Sequence, residues 1–492
     1  MDTPIQPSPG ERAVSRARRA FSARKQAALN FADRTAADRD AWIDNHRFFF
    51  EEDWRYLRFL VPVGKRVLDL GCGTGRLLNE LKPSAGVGID FSGAMIERAR
   101  AHHPHLTFIR GDVEALDDIA VEGPFDVIIM SDTLGALDDC LETFRSLHRL
   151  CSADTRIIVV YHSRMWEPLS IAHGFLTGKR PTSPQNWLSS QDIANLLMLA
   201  NFDVIKREWR VMSPFLLFGL GRLINRFIAT LPAIRKLSLR NYVIARPQTA
   251  PAEDLSVSVI VPCRNERGNI EAAVQRTPPM SARQEIIFVE GGSADGTWEE
   301  IERVQGVHSS LDIRAFKQSG KGKGDAVRKG FAEATGDVLM ILDADLTMPP
   351  EDLPKFYAAL KSGKGEFING SRLVYPMEQE AMRFLNLLAN YVFALLFSFL
   401  LNQRYTDTLC GTKVLARRHY DEIARNRAYF GDFDPFGDFD LIFGASKLNL
   451  KTAEVPIRYA AREYGETQIS RFQHGFLLLR MVLFAFKKMK AL

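Results

Sequence analysis

From Val67 onward the chain alternates short apolar runs with amphipathic stretches. Residues 66–70, 85–89, 106–109, 125–130 and 156–161 read as strands, and the segments between them as helices. Runs that are apolar throughout, rather than at every second position, belong to strands buried on both faces. Strands that alternate with helices build a parallel sheet covered on both sides. This rhythm stops near Arg246. Residues 247–254 read Pro-Gln-Thr-Ala-Pro-Ala-Glu-Asp, a short Pro-containing linker. A second series then begins, with strands expected at 257–261, 285–289 and 338–342. The two series share an architecture but no repeated motif. The expected fold class is therefore α/β, in two domains. The expected divisions are a basic flexible tail over 1–38 with at most one helix, a first domain over 39–247, a linker over 248–254 and a second domain over 255–492.

Length supports this division, because 492 residues exceed what one core ordinarily holds. Hydrophobic residues at 46% and charged residues at 25% are normal for a folded chain. A net charge of +5 is small for this length and does not suggest nucleic acid. The positive charge is clustered, however. Arg12, Arg16, Arg18, Arg19, Arg24 and Lys25 lie near the start, and Lys487, Lys488 and Lys490 near the end. Solvated tails and contact with an anionic membrane surface both fit such clusters. The cysteines (Cys72, Cys140, Cys151, Cys263, Cys410) show neither paired nor zinc-type spacing, which suits a reducing cytosol. No apolar signal-peptide core stands at the N-terminus.

In the first series, Val67-Leu68-Asp69-Leu70 runs into Gly71-Cys72-Gly73-Thr74-Gly75 and then a helix. Glycines let the backbone approach a ligand, and the helix start offers free N–H groups. A dinucleotide-binding turn has the same outline. Three features favour a different cofactor. Asp90 ends the second strand, where a carboxylate accepts both ribose hydroxyls. Asp112, followed by Val113, comes after the third strand and can face an adenine. The third feature is Asp69 inside the first strand. The turn resembles motif I of class I methyltransferases over roughly residues 40–247. The resemblance implies a Rossmann-like domain that holds S-adenosylmethionine through Asp69, Gly71, Gly73, Gly75, Asp90, Asp112 and Val113. The methyl acceptor is less legible. Tyr161, His162 and Trp166 follow the fifth strand, and His162 is a candidate general base with a surface histidine as the plain alternative. Asp132 is a weaker candidate, and His46, Phe48, Phe49 and Phe50 form an aromatic patch suited to covering a cofactor or to core packing.

In the second series four segments reinforce one another. Pro262, Asn265 and Glu266 lie in a turn ending a strand; Glu290 through Asp295 and Thr297 end the next; Lys321-Gly322-Lys323-Gly324 follows; and Asp343 and Asp345 close a very apolar strand. Two carboxylates just past a buried strand are costly without a cation. A hard divalent ion bridging a diphosphate is the natural occupant, and solvated helix-capping aspartates are the alternative. Together these segments resemble family-2 glycosyltransferases of the GT-A fold, especially the polyprenyl-phosphate sugar synthases, over about 255–475. The resemblance implies Mg²⁺ or Mn²⁺ on Asp343 and Asp345. It implies a nucleotide-sugar donor held by Pro262, Asn265, Glu266, Glu290, Asp295, Lys323, Arg372, Lys413 and Arg462. It also places Asp438 and Asp440 in the region where the related synthases carry acidic residues and base-using relatives their catalytic Asp; orienting a neighbouring Lys or Arg is the alternative. Two departures are visible: Glu290-Gly291-Gly292-Ser293 replaces the commoner Asp-Asp-Gly-Ser, which leaves the nucleotide preference open, and Thr347 stands where Gln or Ser is more usual.

Residues 384–401 are mostly apolar and near the lower length limit for a membrane span. A single crossing would separate Asp343 and Asp345 from Lys413 and Asp440. Asn386, Asn390, Ala394 and Ser398 form one small or polar stripe, so the helix is expected to show one face to protein and one to apolar surroundings. Residues 476–486, followed by lysines, repeat the signal, and 215–234 is a third apolar stretch punctuated by arginines. The expectation is a cytoplasmic bifunctional transferase, peripheral on a membrane face. Its C-terminal half would move a sugar with inversion to a lipid phosphate or a glycan hydroxyl. Its N-terminal half would methylate a related glycan or lipid, or serve only to position a partner.

Overall fold

The computed structural model describes residues 21–167, 185–249, 251–375, 384–429, 437–460, 462, 464 and 471–491. It contains two seven-stranded sheets. The first is built from β1 (Arg66–Leu70), β2 (Ala85–Asp90), β3 (Thr107–Arg110), β4 (Phe125–Ser131), β5 (Cys151–His162), β6 (Phe202–Arg210) and β7 (Arg240–Pro247). Their spatial order is β3-β2-β1-β4-β5-β7-β6. β7 alone runs antiparallel, between β5 and β6. β1 and β4 meet at the centre, and their order reverses there. Ligands bind at such a switch point, outside the carboxyl ends of the strands. The five strands read from sequence are present. β6 and β7 were not anticipated, because Lys206, Arg207, Glu208, Arg210, Asn241 and Arg246 interrupt their apolar pattern.

The second sheet follows with β8 (Val257–Cys263), β9 (Gln284–Glu290), β10 (Asp312–Lys317), β11 (Val338–Ile341), β12 (Phe367–Ser371), β13 (Lys413–Ala416) and β14 (Thr452–Pro456). Its order is β10-β9-β8-β11-β13-β12-β14, with β13 antiparallel to both neighbours. β8 and β11 pair in parallel at the centre. The turn after β8 and the Asp343/Asp345 pair therefore stand side by side.

The segment expected to be a tail over 1–38 carries a helix at Ala23–Thr35, capped by Ser22. It packs on the first domain, and Lys25 is buried there. The linker is also held: the Ala252 N–H donates to the Lys361 carbonyl at 2.9 Å, and Asp254 pairs with Lys361 at 3.1 Å.

The halves meet through buried polar contacts. Arg156 of β5 pairs with Glu366 at 2.8 Å and donates to the Asn449 carbonyl at 3.0 Å. Arg246 reaches Glu366 at 3.6 Å. Glu208 of β6 binds Lys490 at 2.9 Å, and Arg210 donates to the Met489 carbonyl at 2.9 Å. Lys490 was expected to be a solvated end or a membrane contact; it is fully buried, because Glu208 requires a buried counter-charge. One continuous hydrophobic cluster holds Tyr56, Leu57 and Tyr242 from the first half and Leu450, Met481 and Met489 from the second.

Phe384–Leu401 is one helix. Asn390, Ala394 and Phe397 face protein, while Leu395 is 73% exposed. The helix Arg471–Ala485 likewise leaves Phe476 and Leu483 exposed. Among the described residues no helix is long and apolar enough to cross a membrane.

Candidate active sites

In the first half, the turn after β1 passes through three glycines with positive φ: Gly71 (82°), Gly73 (53°) and Gly75 (78°). A Cβ at Gly75 would stand 2.5 Å from the Phe108 ring, and one at Gly71 would stand 2.4 Å from the Thr133 hydroxyl oxygen. Both the backbone conformation and the space thus require glycine. Asp90, buried at the end of β2, accepts from the Gly73 N–H at 2.9 Å and the Ser92 N–H at 2.9 Å. Burial raises its pKa, and those two donors partly offset the rise.

Asp69 is buried, and its Oδ1 has no hydrogen-bond partner among the described residues. Burial, and then the charge of Asp90, push its pKa up to about 7. A buried carboxyl oxygen beside a glycine turn suits a cationic ligand, and S-adenosylmethionine carries a sulfonium and an ammonium group. The residues present therefore fit that cofactor.

The helix Ala23–Thr35 closes over the same edge. Lys25 binds both Asp112 oxygens, at 2.7 and 2.6 Å, and also Glu114. Asp33 accepts from the Ser92 hydroxyl at 2.5 Å. The Asp112 carboxylate is thus already paired, and Val113 is buried in the core beneath. Next to the turn, Thr74 donates to Asp40 at 2.7 Å. Sequence reading missed Lys25, Asp33 and Asp40, because a polar, basic segment carries no sign of what it covers.

At the end of β5, His162 Nε2 lies 3.4 Å from Asp132. Burial lowers its pKa, and Asp132 opposes that. Arg240 pairs with Asp132 at 2.5 Å and with the buried Asp53 at 3.1 Å. His162 and Asp132 therefore stand together at the ligand edge, with Arg240 fixing the aspartate. Of the aromatic patch, Phe50 is core and Phe49 packs against it.

In the second half, Asp343 Oδ1 is 2.6 Å from Lys323. A Cβ at Gly411 would stand 1.9 Å from Asp343 Oδ2, so only glycine lets that segment pass. Burial raises the Asp343 pKa, but Lys323, Lys413 and Arg372 outweigh it and leave the carboxyl below its ordinary value. Asp345 Oδ2 pairs with Arg462 at 2.6 Å, and its Oδ1 accepts from the Thr347 hydroxyl at 2.8 Å. Arg462 also lies 3.5 Å from Glu266, whose pKa burial raises. Two carboxylates, each with an oxygen already on a cation, are donors of the kind a hard divalent ion takes. The residues fit such an ion.

The turn after β8 is tied to the end of β9. The Asn265 side chain accepts from the Ala294 N–H at 2.9 Å, the Glu266 N–H donates to the Thr297 hydroxyl at 3.0 Å, and the Arg267 N–H donates to Asp295 at 3.2 Å. Glu290 accepts from the Ser293 N–H at 2.5 Å. Pro262 lies in β8, half-buried, two residues before Arg264. Asp295 and Glu290 thus shape the loop from inside.

Arg372, expected to hold the donor, is itself held by Asp407 at 2.6 and 2.9 Å. Lys413 is fully buried, with its ammonium on the Cys410 carbonyl. Both act on Asp343 as fixed positive charge. Asp440 is buried and paired with Arg427 at 2.8 Å. The side chain of Asp438 lies outside the described residues. Its neighbour Gly437 abuts Gly324, where a Cβ would meet the Gly324 Cα at 2.7 Å.

Comparison with known proteins accounts for both halves. A model described as "Methyltransferase domain" matches residues 37–207, and one described as "Glycosyl transferase family 2" matches residues 258–423. The chain joins a methyltransferase domain to a family-2 glycosyltransferase domain. It is 41% identical over 122 residues to a dolichol-phosphate mannosyltransferase of Pyrococcus furiosus, covering 24% of this chain and 34% of that one. It is 38% identical over 112 residues to the dolichol-phosphate mannosyltransferase of Saccharomyces cerevisiae, covering 22% and 41%. An undecaprenyl-phosphate 4-deoxy-4-formamido-L-arabinose transferase of Pseudomonas fluorescens is 25% identical over 222 residues, covering 44% and 60%. The chain thus spans from a third to about three fifths of these relatives' lengths.

Among solved structures, it is similar to an S-adenosylmethionine-dependent methyltransferase from Thermotoga maritima, at 18% identity and TM-score 0.35, over 44% of this chain and 96% of that one. It is also similar to glucosyl-3-phosphoglycerate synthase from Mycobacterium tuberculosis, at 20% identity and TM-score 0.36, over 47% and 80%.

Proposed function

We propose that the chain is a bifunctional transferase. Its C-terminal half transfers a sugar, with inversion, from a nucleotide diphosphate to a polyprenyl phosphate. Its N-terminal half transfers a methyl group from S-adenosylmethionine to a related lipid or glycan. The observation that carries the reading is the positive charge of Lys323, Lys413, Arg372 and Arg462 around Asp343 and Asp345. It suits a site that gathers two phosphoryl groups, and the matched relatives act on dolichol and undecaprenyl phosphates.

Asp343 and Asp345 would hold Mg²⁺ or Mn²⁺, which when bound offsets the charge that develops on the leaving diphosphate. Asn265, Glu266, Glu290 and Asp295 shape the loop that holds the nucleoside. Lys323 and Arg462 leave their carboxylates for the phosphates as donor enters. The acceptor oxygen of a lipid phosphate is already anionic and needs no base, whereas a hydroxyl does. Asp440, paired with Arg427, favours the first case: its carboxylate is engaged in orienting a cation.

In the N-terminal half, Asp90 would hold the ribose and Asp69 would meet the positive charge of the cofactor. Asp112 becomes available to the adenine once Lys25 releases it and keeps Glu114 alone. His162, neutral and beside Asp132, takes the acceptor proton.

Exposed Val392, Phe476 and Leu483 would rest on a membrane face, so the protein should float with anionic liposomes. The decisive test is transfer from a panel of nucleotide sugars to a short polyprenyl phosphate, with Mg²⁺ or Mn²⁺. Turnover should need the metal and survive Asp440→Asn within about a hundredfold, no more than a general base usually contributes. Turnover only with hydroxyl-bearing glycans, abolished in Asp440→Asn or Asp438→Asn, would replace this acceptor.

A further inference from the structure

A cavity of about 750 Å³ lies between the two halves. One wall is the edge strand β6, which contributes Arg207 and Trp209, together with Arg235. Successive strand residues point to opposite faces. Glu208 and Arg210 accordingly turn away from this wall and join the C-terminal residues Lys490 and Met489. The other wall belongs to the glycosyltransferase half: Leu373 and Val374, with Tyr391 and Leu395 of the apolar helix. Arg404 stands on the same lining, and among the described residues no carboxylate does. One side of this cavity is largely apolar, and three arginines, Arg207, Arg235 and Arg404, stand on its lining.

Two details show that the basic wall is built rather than incidental. Asn402, at φ 55°, accepts from Arg235 at 2.8 Å, and Arg235 lies over the Trp209 ring at 5.2 Å from its centroid. The Arg235 Nε is buried and has no hydrogen-bond partner among the described residues. The site has a second distinguishing mark in its position. Leu373 follows Arg372, whose charge acts on Asp343, so the cavity begins where the donor site ends. β6 runs parallel to β5, so its Trp209 and Arg210 lie toward the same sheet edge as His162.

We infer that this cavity binds the acceptor lipid phosphate. Arg207, Arg235 and Arg404 would meet the phosphoryl end, and Leu373, Val374, Tyr391 and Leu395 the first isoprene units. The methyltransferase half then supplies part of the acceptor site of the glycosyltransferase half. The glycosylated lipid is thereby formed beside the sheet edge at which methyl transfer takes place. The inference rests on the proposed lipid-phosphate acceptor, and the test separates the two.

Binding of a short polyprenyl phosphate to the full chain is followed by quenching of Trp209 fluorescence, taken as the difference between wild type and Trp209→Phe. Inorganic phosphate and phosphatidylglycerol vesicles are the comparison ligands. Saturable quenching by the prenyl phosphate is expected. The Arg207→Gln/Arg235→Gln double variant should weaken it about tenfold or more, as should Leu395→Asp at an exposed position. An unchanged affinity for S-adenosylmethionine shows that these variants fold. Prenyl phosphate that binds in this arginine-dependent way but is never glycosylated would leave the cavity standing and remove the acceptor reading. Prenyl phosphate glycosylated with an unchanged KM in both variants would overturn the cavity and leave the acceptor reading intact. Vesicles that lose as much affinity as the prenyl phosphate would also overturn it, by assigning the arginines to bulk lipid.

Discussion

Each half carries a pair of aspartates near the carboxyl ends of its inner strands, yet the two pairs are treated oppositely. In the first half, Asp69 and Asp90 are buried with little counter-charge: Asp90 has backbone N–H donors, and one oxygen of Asp69 has no partner among the described residues. In the second half, Asp343 and Asp345 are each met by a cation, Lys323 and Arg462. Poorly compensated carboxylates favour a ligand that brings positive charge. Carboxylates already shared with Lys and Arg can exchange those partners for a metal ion and release them to a polyanion. The same residue type at the same place in the fold is thus tuned for opposite ligands by what surrounds it.

The largest expected effect tests the second pair. Asp345→Asn should lower glycosyl transfer by about 10³-fold or more, with the affinity for S-adenosylmethionine unchanged. Activity undiminished by this change, or by EDTA, would remove the metal from the comparison.

The next lies where the halves join. Burial raises the Glu208 pKa, but Lys490 and Arg210 outweigh it and bring it down to about 2. The resulting stabilisation is present above the ordinary glutamate pKa and lost as pH falls toward 2. Lys490→Met leaves that carboxylate buried and should cost about 3 kcal/mol at neutral pH in chemical denaturation. An unchanged midpoint would show that Arg210 alone suffices.

Asp90→Ala should cost roughly 1.5–3 kcal/mol of S-adenosylmethionine affinity by calorimetry. Wild-type affinity would remove Asp90 from the cofactor site.

The smallest effect concerns Asp69. Its pKa is raised to about 7 by burial and by Asp90. A cationic ligand favours the ionised form, so binding should expel a proton below pH 7. Affinity for S-adenosylmethionine should then rise by up to about tenfold per pH unit until pH 7 and level off above it. Asp69→Asn should flatten that part of the profile. A profile that keeps its slope in the variant would place the proton elsewhere.

Much of this was legible in the chain. Runs such as 157–160 and 338–341 are apolar throughout because helices cover both faces, and the glycine turn and the Asp343/Asp345 spacing announce their chemistry. The misses share a cause. β6 and β7 carry Glu208, Arg240 and Arg246, which look solvent-facing in one dimension and are buried by partners hundreds of residues away or on neighbouring elements. Arg372 resembled a phosphate ligand, and only the fold shows Asp407 beside it. Lys25 and Lys490 read as tail charge for the same reason. A charge says little in sequence about its counter-charge, whereas an apolar run carries its own destination.

Glu366, set just before β12, is reached by two arginines from the other sheet, Arg156 and Arg246. Separating the sheets would strand three buried charges together, and the shared apolar cluster would open at the same moment. Heating should therefore melt the chain as one cooperative unit, with a single calorimetric peak whose van't Hoff and calorimetric enthalpies agree, where two loosely tethered domains would give two.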